Sequence, residues 1–338
     1  MQKGCTFFRS GVIAGMIAAT AFTFVYAQKL TGDTKGETAF PYRWVLSRYR
    51  GNPVLRAIPG TWEAEWFVAE SVISVRDQIY MYYLGSDKGN RNSQLGIAFS
   101  KDGITWTRSR HNPIWKNAWD FLLRDVRVYQ FGDSDFWLYY SDYDRHIDLA
   151  RSADGIHWTN YRHNPVLNVS QPWESLIMQE SVLKMGEQWL MWYSTYNGKP
   201  RVTGLATSMD GIAWVKHEGN PVIRLGAPGE WDDYSVFQPV VFHQDGYFHM
   251  LYTGSSKANP TGYGWGYALS KDGIHWLKSP DNPVFSPGPA GSWDAGKACC
   301  HPILRTASDR FNIYYGGAAS PDDTYRGIGL VQARLVRQ

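Results

Sequence analysis

The chain has 338 residues, of which 43% are hydrophobic, 15% aromatic and 19% charged, and its net charge is +3. No basic run is long enough to follow a nucleic-acid backbone, which sets nucleic acid aside as a partner. The 16 Trp and 21 Tyr suit packed sheets and equally suit stacking on sugar rings.

Residues 1–27 read as a signal peptide. Lys3 and Arg9 form a positive start, Gly11 to Val25 an apolar run, and Val25-Tyr26-Ala27 a small-residue cleavage site. The apolar run is shorter than the roughly 20 residues that span a bilayer. The mature form is therefore expected to be exported, periplasmic or extracellular, with no membrane span, and a monomer. Cys5 leaves with the leader. Cys299 and Cys300 are neighbours, with α-carbons about 3.8 Å apart, shorter than the usual disulfide span. They are expected as buried thiols and make neither a disulfide framework nor a metal site.

Beyond the leader the chain repeats itself. AFSKDGITWTRSRHNPIW at 98–115 returns as ARSADGIHWTNYRHNPVL at 150–167, ATSMDGIAWVKHEGNPVI at 206–223 and ALSKDGIHWLKSPDNPVF at 268–285. Asn-Pro pairs at 52, 112, 164, 220 and 282 make five units, a period that suits four-stranded propeller blades. In the first unit the alternation predicts an inner strand near 67–75, a second at 79–85, a third at 94–100 and an outer one from Ile104. The fifth unit reaches Gln338 after its third strand, and residues 43–55, RWVLSRYRGNPVL, match the missing tail. The fold expected is all-β, a five-bladed β-propeller in one domain over 28–338. An N-terminal strand at 43–48 would close the ring and leave no sheet edge open.

Four SxDGxxW boxes, from Ser100 to Trp106, Ser152 to Trp158, Ser208 to Trp214 and Ser270 to Trp276, resemble the Asp boxes of sialidases, which carry an extra residue between Asp and Gly. A structural residue is needed in every blade and a catalytic one only once. The boxes are therefore read as hairpins whose Asp bonds its own turn.

Function is sought where equivalent places hold different residues. The inner strands align as AESV, RDVR, QESV, FQPV and CHPI, which sets Glu70, Asp125, Glu180, Gln238 and His301 at one level of a central funnel. A Trp followed by an acid comes six to eight residues earlier in each, at Trp62, Trp119, Trp173, Trp231 and Trp293. Three carboxylates on neighbouring blades are electrostatically costly, because like charges raise one another's pKa. Glycoside hydrolysis needs such a group: one protonated carboxyl for the leaving oxygen and one ionised to attack or activate water. A third can tune the acid. A central cation or blade-to-blade hydrogen bonds are the alternatives the residues leave open.

Architecture and column together resemble the five-bladed glycosidases of families 43 and 32. The resemblance implies Glu70 as base or nucleophile, Asp125 as transition-state or pKa helper and Glu180 as general acid. Arg124-Asp125 is similar to the Arg-Asp pair of family 32, and Glu180-Ser181 stands where that family has Glu-Cys. The first acid is Glu where both families use Asp, and the Asn-Asp-Pro-Asn-Gly signature is absent. His301 is similar to the axial histidine near the hydrated calcium of some family 43 arabinanases, which admits a central Ca near His301; the chemistry itself requires no cofactor.

The expected function is an exported glycoside hydrolase acting on a poly- or oligosaccharide. Arg124, Gln238, His301, Asp142 and the five Trp form its expected substrate-binding set. A non-catalytic carbohydrate-binding propeller is the alternative from another class. A glycoside phosphorylase stands third, because it needs a cationic phosphate site and the inner column offers only Arg124 and Arg127.

Overall fold

The computed structural model of the chain describes residues 40–89, 92–115, 123–141, 146–196, 200–299 and 302–338. The signal-peptide reading falls outside them. The described residues form β-strands and turns without a helix, so none is long and apolar enough to cross a membrane.

Each repeat is an antiparallel meander. The first strands are Trp66–Val75, Arg124–Gly132, Leu176–Met185 and Ser235–Gln244, with Lys297–Cys299 and Ile303–Arg305 in the fifth repeat. The second strands, Gln78–Ser86, Asp135–Ser141, Gln188–Tyr196, Tyr247–Ser255 and Arg310–Ala318, are apolar and buried along most of their length. That is the pattern of strands covered on both faces. The third strands are Gln94–Ser100, His146–Ser152, Arg201–Ser208, Gly264–Ser270 and Gly327–Arg337.

The outer strand is shorter than expected. In the first repeat it is Thr107–Arg108 and does not begin at Ile104. The box consumes the intervening residues. Asp102 Oδ1 accepts the N–H groups of Ile104 and Thr105, each at 2.8 Å, while Gly103 takes φ +71°, which glycine adopts without steric cost. Pairing resumes through a side chain. Asn112 gives its amide N–H to the Ile97 carbonyl and accepts the Ile97 N–H, both at 2.9 Å. Asn52, Asn164, Asn220 and Asn282 clip Leu330, Leu149, Leu205 and Tyr267 in the same way. The repeated Asn thus stands in for a rung of the ladder.

The two ends of the described chain pair. Tyr42–Arg48 runs antiparallel to Gly327–Arg337, with Trp44 opposite Leu335, and Leu55–Arg56 follows on the same strand. The alignment frame is set by Asn52 and not by Trp44. Counted back from Asn52, Arg48 holds the place of Arg108, Lys216 and Lys278, whereas Trp44 packs edge-on against Tyr267 and Phe311. Box glycines tie each repeat to the one before. The carbonyls of Gly155, Gly211 and Gly273 accept from Tyr82, Tyr139 and Trp192, and that of Gly103 accepts from Tyr314 of the fifth repeat.

A second repeated device explains the acid after each early Trp. Tyr193, Tyr252 and Tyr315 donate hydroxyls to Glu174, Asp232 and Asp294 at 2.8, 2.9 and 2.8 Å. A cation from the outer strand pairs with the same acid: Lys216 with Glu174, Lys278 with Asp232 at 2.5 Å, and Arg48 with Asp294 at 3.0 Å. In the first repeat Arg108 meets Glu63 at 2.7 Å. These clasps bind the outer strand of a repeat to its second strand, which offsets the high cost of burying the charges.

Candidate active site

The first strands break register with their neighbours at the level of the aligned column. The irregularities fall between Ala69 and Ser71, Arg124 and Arg127, Met178 and Ser181, and Phe237 and Val240. A bulge releases a residue from the ladder and re-aims its side chain. Glu70, Asp125, Glu180 and Gln238 are among the residues so released. Asp125 and Gln238 take φ values of +50° and +54°. Non-glycine residues hold this left-handed backbone only where the surroundings enforce it, and such positions gather at functional sites.

A cavity of about 390 Å³ opens over these bulges and is lined by Glu70, Arg124, Asp125 and Gln238 among others. The structure therefore brings together four of the residues expected from sequence. Arg127 Nη1 lies 3.3 Å from Glu70 Oε2 and also donates to the Glu70 backbone carbonyl. Ser141 donates its hydroxyl to Asp125 at 3.1 Å. Gln238 is held at both ends: its backbone N–H donates to Ser194 Oγ at 2.9 Å, and its side-chain oxygen accepts from Thr253 at 2.7 Å. Glu70 also lines a second cavity of about 270 Å³, with Arg127, Val182, Val241 and Phe242. Glu70 stands between the two spaces.

Glu180 is placed differently. It has no exposed surface and does not belong to the cavity wall, although Leu176 and Met178 of the same strand do. Neither of its carboxyl oxygens makes a hydrogen bond among the described residues. Burial pushes its pKa up to about 8, with the Asp125 charge adding to the rise and the Arg127 guanidinium opposing it. Burial therefore favours the protonated carboxyl.

The early Trp residues lie elsewhere. Trp62, Trp231 and Trp293 face Tyr83, Tyr252 and Tyr315 with ring centroids 5.9, 5.8 and 5.5 Å apart, and Trp173 packs in the core around Tyr193. All four sit beside the clasp acids, and none lines the cavity. Trp119, Asp142 and His301 lie outside the described residues. Among the described residues no three His, Cys, Asp or Glu side chains are grouped to hold a metal ion. Cys299 is buried, its sulfur 2.7 Å from the Tyr325 hydroxyl.

Sequence reasoning passed over Arg201, Tyr263 and Lys297, all of which line the cavity. The signal was present. Ser93, Arg201 and Tyr263 occupy one aligned place just before the strict repeat of the third strand, and all three reach the cavity. Variation at an equivalent place, the criterion that found Glu70, Asp125 and Gln238, marks these residues as well.

No family model matches the chain. An uncharacterized protein of Mycobacterium tuberculosis (strain CDC 1551 / Oshkosh) is 26% identical over 211 residues, 57% of this chain and 68% of that protein. The 1,2-beta-oligomannan phosphorylase of Thermoanaerobacter sp. (strain X514) is 35% identical over 71 residues, 20% of this chain and 24% of that one. One similar solved structure belongs to the GH130 family of mannoside phosphorylases, which contains glycoside hydrolases that target β-1,2 mannosidic linkages in Candida mannan. It aligns with a TM-score of 0.66 at 19% identity, covering 88% of this chain and 95% of that chain. The N-acetylgalactosamine deacetylase of F. plautii aligns at 0.68 with 17% identity, covering 85% and 95%. The chain thus has a glycoside-hydrolase-like fold, shared with phosphorylases and a deacetylase. These likenesses do not single out families 43 and 32.

Proposed function

We propose that this chain is an exported glycoside hydrolase, a closed five-bladed propeller with Glu70, Asp125 and Glu180 as its catalytic carboxylates. The observation that carries the reading is Glu180, a fully buried carboxyl whose pKa burial pushes up to about 8, on the strand that gives Leu176 and Met178 to a cavity walled by two further acids. Hydrolysis of a glycoside needs that division between a protonated and an ionised carboxyl. Glu70, oriented by Arg127, acts as base or nucleophile. Asp125, fixed by Ser141 on a left-handed backbone, orients and tunes the acid. Because Glu180 is enclosed and no described group hydrogen-bonds its carboxyl, its proton passes to the leaving oxygen through a water.

Glu180→Gln is expected to slow cleavage of natural glycosides by about 10²–10⁴-fold and to spare aryl glycosides more, since a phenolate leaves without a proton. Equal losses on both substrates would remove Glu180 from the acid role. A wild-type protein that binds glycans but cleaves none across a broad panel would leave a non-catalytic carbohydrate-binding propeller instead. Phosphorolysis is the reading favoured by the likeness to the oligomannan phosphorylase. It is separated by products: turnover in buffered inorganic phosphate gives free sugar on hydrolysis and sugar 1-phosphate on phosphorolysis.

A further inference from the structure

We propose that Arg201 and Lys297 form a recognition site at the cavity mouth for an anionic substituent, a carboxylate or sulfate ester, carried by the glycan; this rests on reading the cavity as a glycan site. Both residues line the cavity. The Arg201 guanidinium lies 4.7 Å from the centroid of Phe237 and 6.0 Å from that of Tyr196, with Nη1 3.5 Å from the Tyr263 hydroxyl. Lys297 lies over Tyr325 at 5.6 Å and donates to the Asp323 carbonyl at 3.0 Å. Neither meets a carboxylate among the described residues.

The clasp cations provide the contrast. Arg48, Arg108, Lys216 and Lys278 also lie over aromatic rings, and each is paired with a buried acid. At the mouth the ring and the cation are kept and the acid is missing. A guanidinium held against aromatic faces keeps its N–H edge oriented for the two parallel bonds that a carboxylate or sulfate accepts. An ammonium nearby adds charge without adding geometry.

Depth decides which anion is meant. Arg201 pairs with Ser235, three residues before Gln238, and Lys297 holds the place of Trp66, four residues before Glu70. At ~3.3 Å per residue the backbone of each mouth cation lies about 10–13 Å along the strands from the level of Gln238 and Glu70. A phosphate acting as nucleophile would have to sit within about 3.5 Å of the carbon it attacks. A charge carried on the substrate, one or more rings from the scissile bond, fits that height.

The test is an array of carboxylated, sulfated and neutral oligosaccharides probed with the full chain carrying Glu180→Gln. Charged members are expected to be preferred, and the preference should fall about tenfold when Arg201→Gln or Lys297→Gln is added, the change that one lost charged contact gives. Raising NaCl from about 0.05 to about 0.5 M should erode the same preference without any further mutation, which keeps the test open if a variant does not fold. Neutral members bound as well as charged ones would overturn the inference and leave the glycosidase reading standing. An array that captures nothing would overturn both. Turnover that requires inorganic phosphate and is lost in Arg201→Gln would assign the cations to a co-substrate, which also ends it.

Discussion

Two sets of acids are buried in this protein to much the same degree, and they serve opposite ends. Glu63, Glu174, Asp232 and Asp294 each receive a cation from an outer strand, and three of them a tyrosine hydroxyl as well. Glu70, Asp125 and Glu180 sit on bulges, and one of them has no hydrogen-bond partner among the described residues. Burial alone therefore does not mark a site. What separates the second set is the bulge that carries each acid, two of them to the cavity wall; a buried carboxyl there that makes no hydrogen bond must hold a proton or await a ligand.

The largest expected effect breaks the bulge side of the comparison. Glu70→Gln should lower cleavage of natural and aryl glycosides alike, by about 10²–10⁴-fold per folded molecule, because the attacking group is needed whatever leaves. A loss confined to natural glycosides would give Glu70 the acid's role instead. Lys216→Met breaks the other side. It strands Glu174, whose side chain is wholly enclosed, and should cost about 3–5 kcal/mol in urea unfolding, with turnover per folded molecule unchanged. Lost turnover at unchanged stability would move the third clasp into the site.

Much of this was legible in the sequence. Five Asn-Pro pairs and four boxes gave the repeats, and GNPVL after Arg50 gave the strand that pairs with the last repeat. The level of Glu70, Asp125, Glu180 and Gln238 was legible because the repeats disagree there. Its bulges were not, since the residues of a bulge look like those of any strand. Which buried acids reach the cavity was not legible, for a physical reason. Whether a buried acid is neutralised depends on partners far along the chain, and Arg48 lies 246 residues from Asp294. Glu63 and Glu70 stand seven residues apart with the same charge, and only the fold gives one of them to a clasp and the other to a cavity.

A titration of stability sharpens the contrast. Glu180 is raised from 4.5 to about 8, so between those values the unfolded chain releases a proton that the folded chain retains. Stability should fall across that window as pH rises, and stay lowered above it. Glu180→Gln should remove this component of the slope, and gain most against wild type near pH 9. Unfolding curves at pH 5 and 9 check it. A variant with the wild-type slope would show that Glu180 titrates normally.

The smallest effect concerns carboxylates that lie near the surface. Asp102 is lowered to about 2, first by the N–H of Thr105 and then by that of Ile104, and Asp210 is lowered by the N–H groups of Ala213 and Ile212. Here the folded state favours the charged form. The stabilisation is present above the unfolded value of 3.8 and is lost as pH falls toward 2, a window below the one that belongs to Glu180. Solvent screens these groups, so Asp102→Ala or Asp210→Ala should cost only about 1 kcal/mol at neutral pH, the worth of a turn hydrogen bond. The loss should shrink as the medium is acidified, because the wild type then forfeits the same bonds. Cleavage per folded molecule should stay at the wild-type level in both variants, since the box turn spends its carboxylate on its own backbone. Lost cleavage without lost stability in either variant would put that box at the substrate and not in the frame.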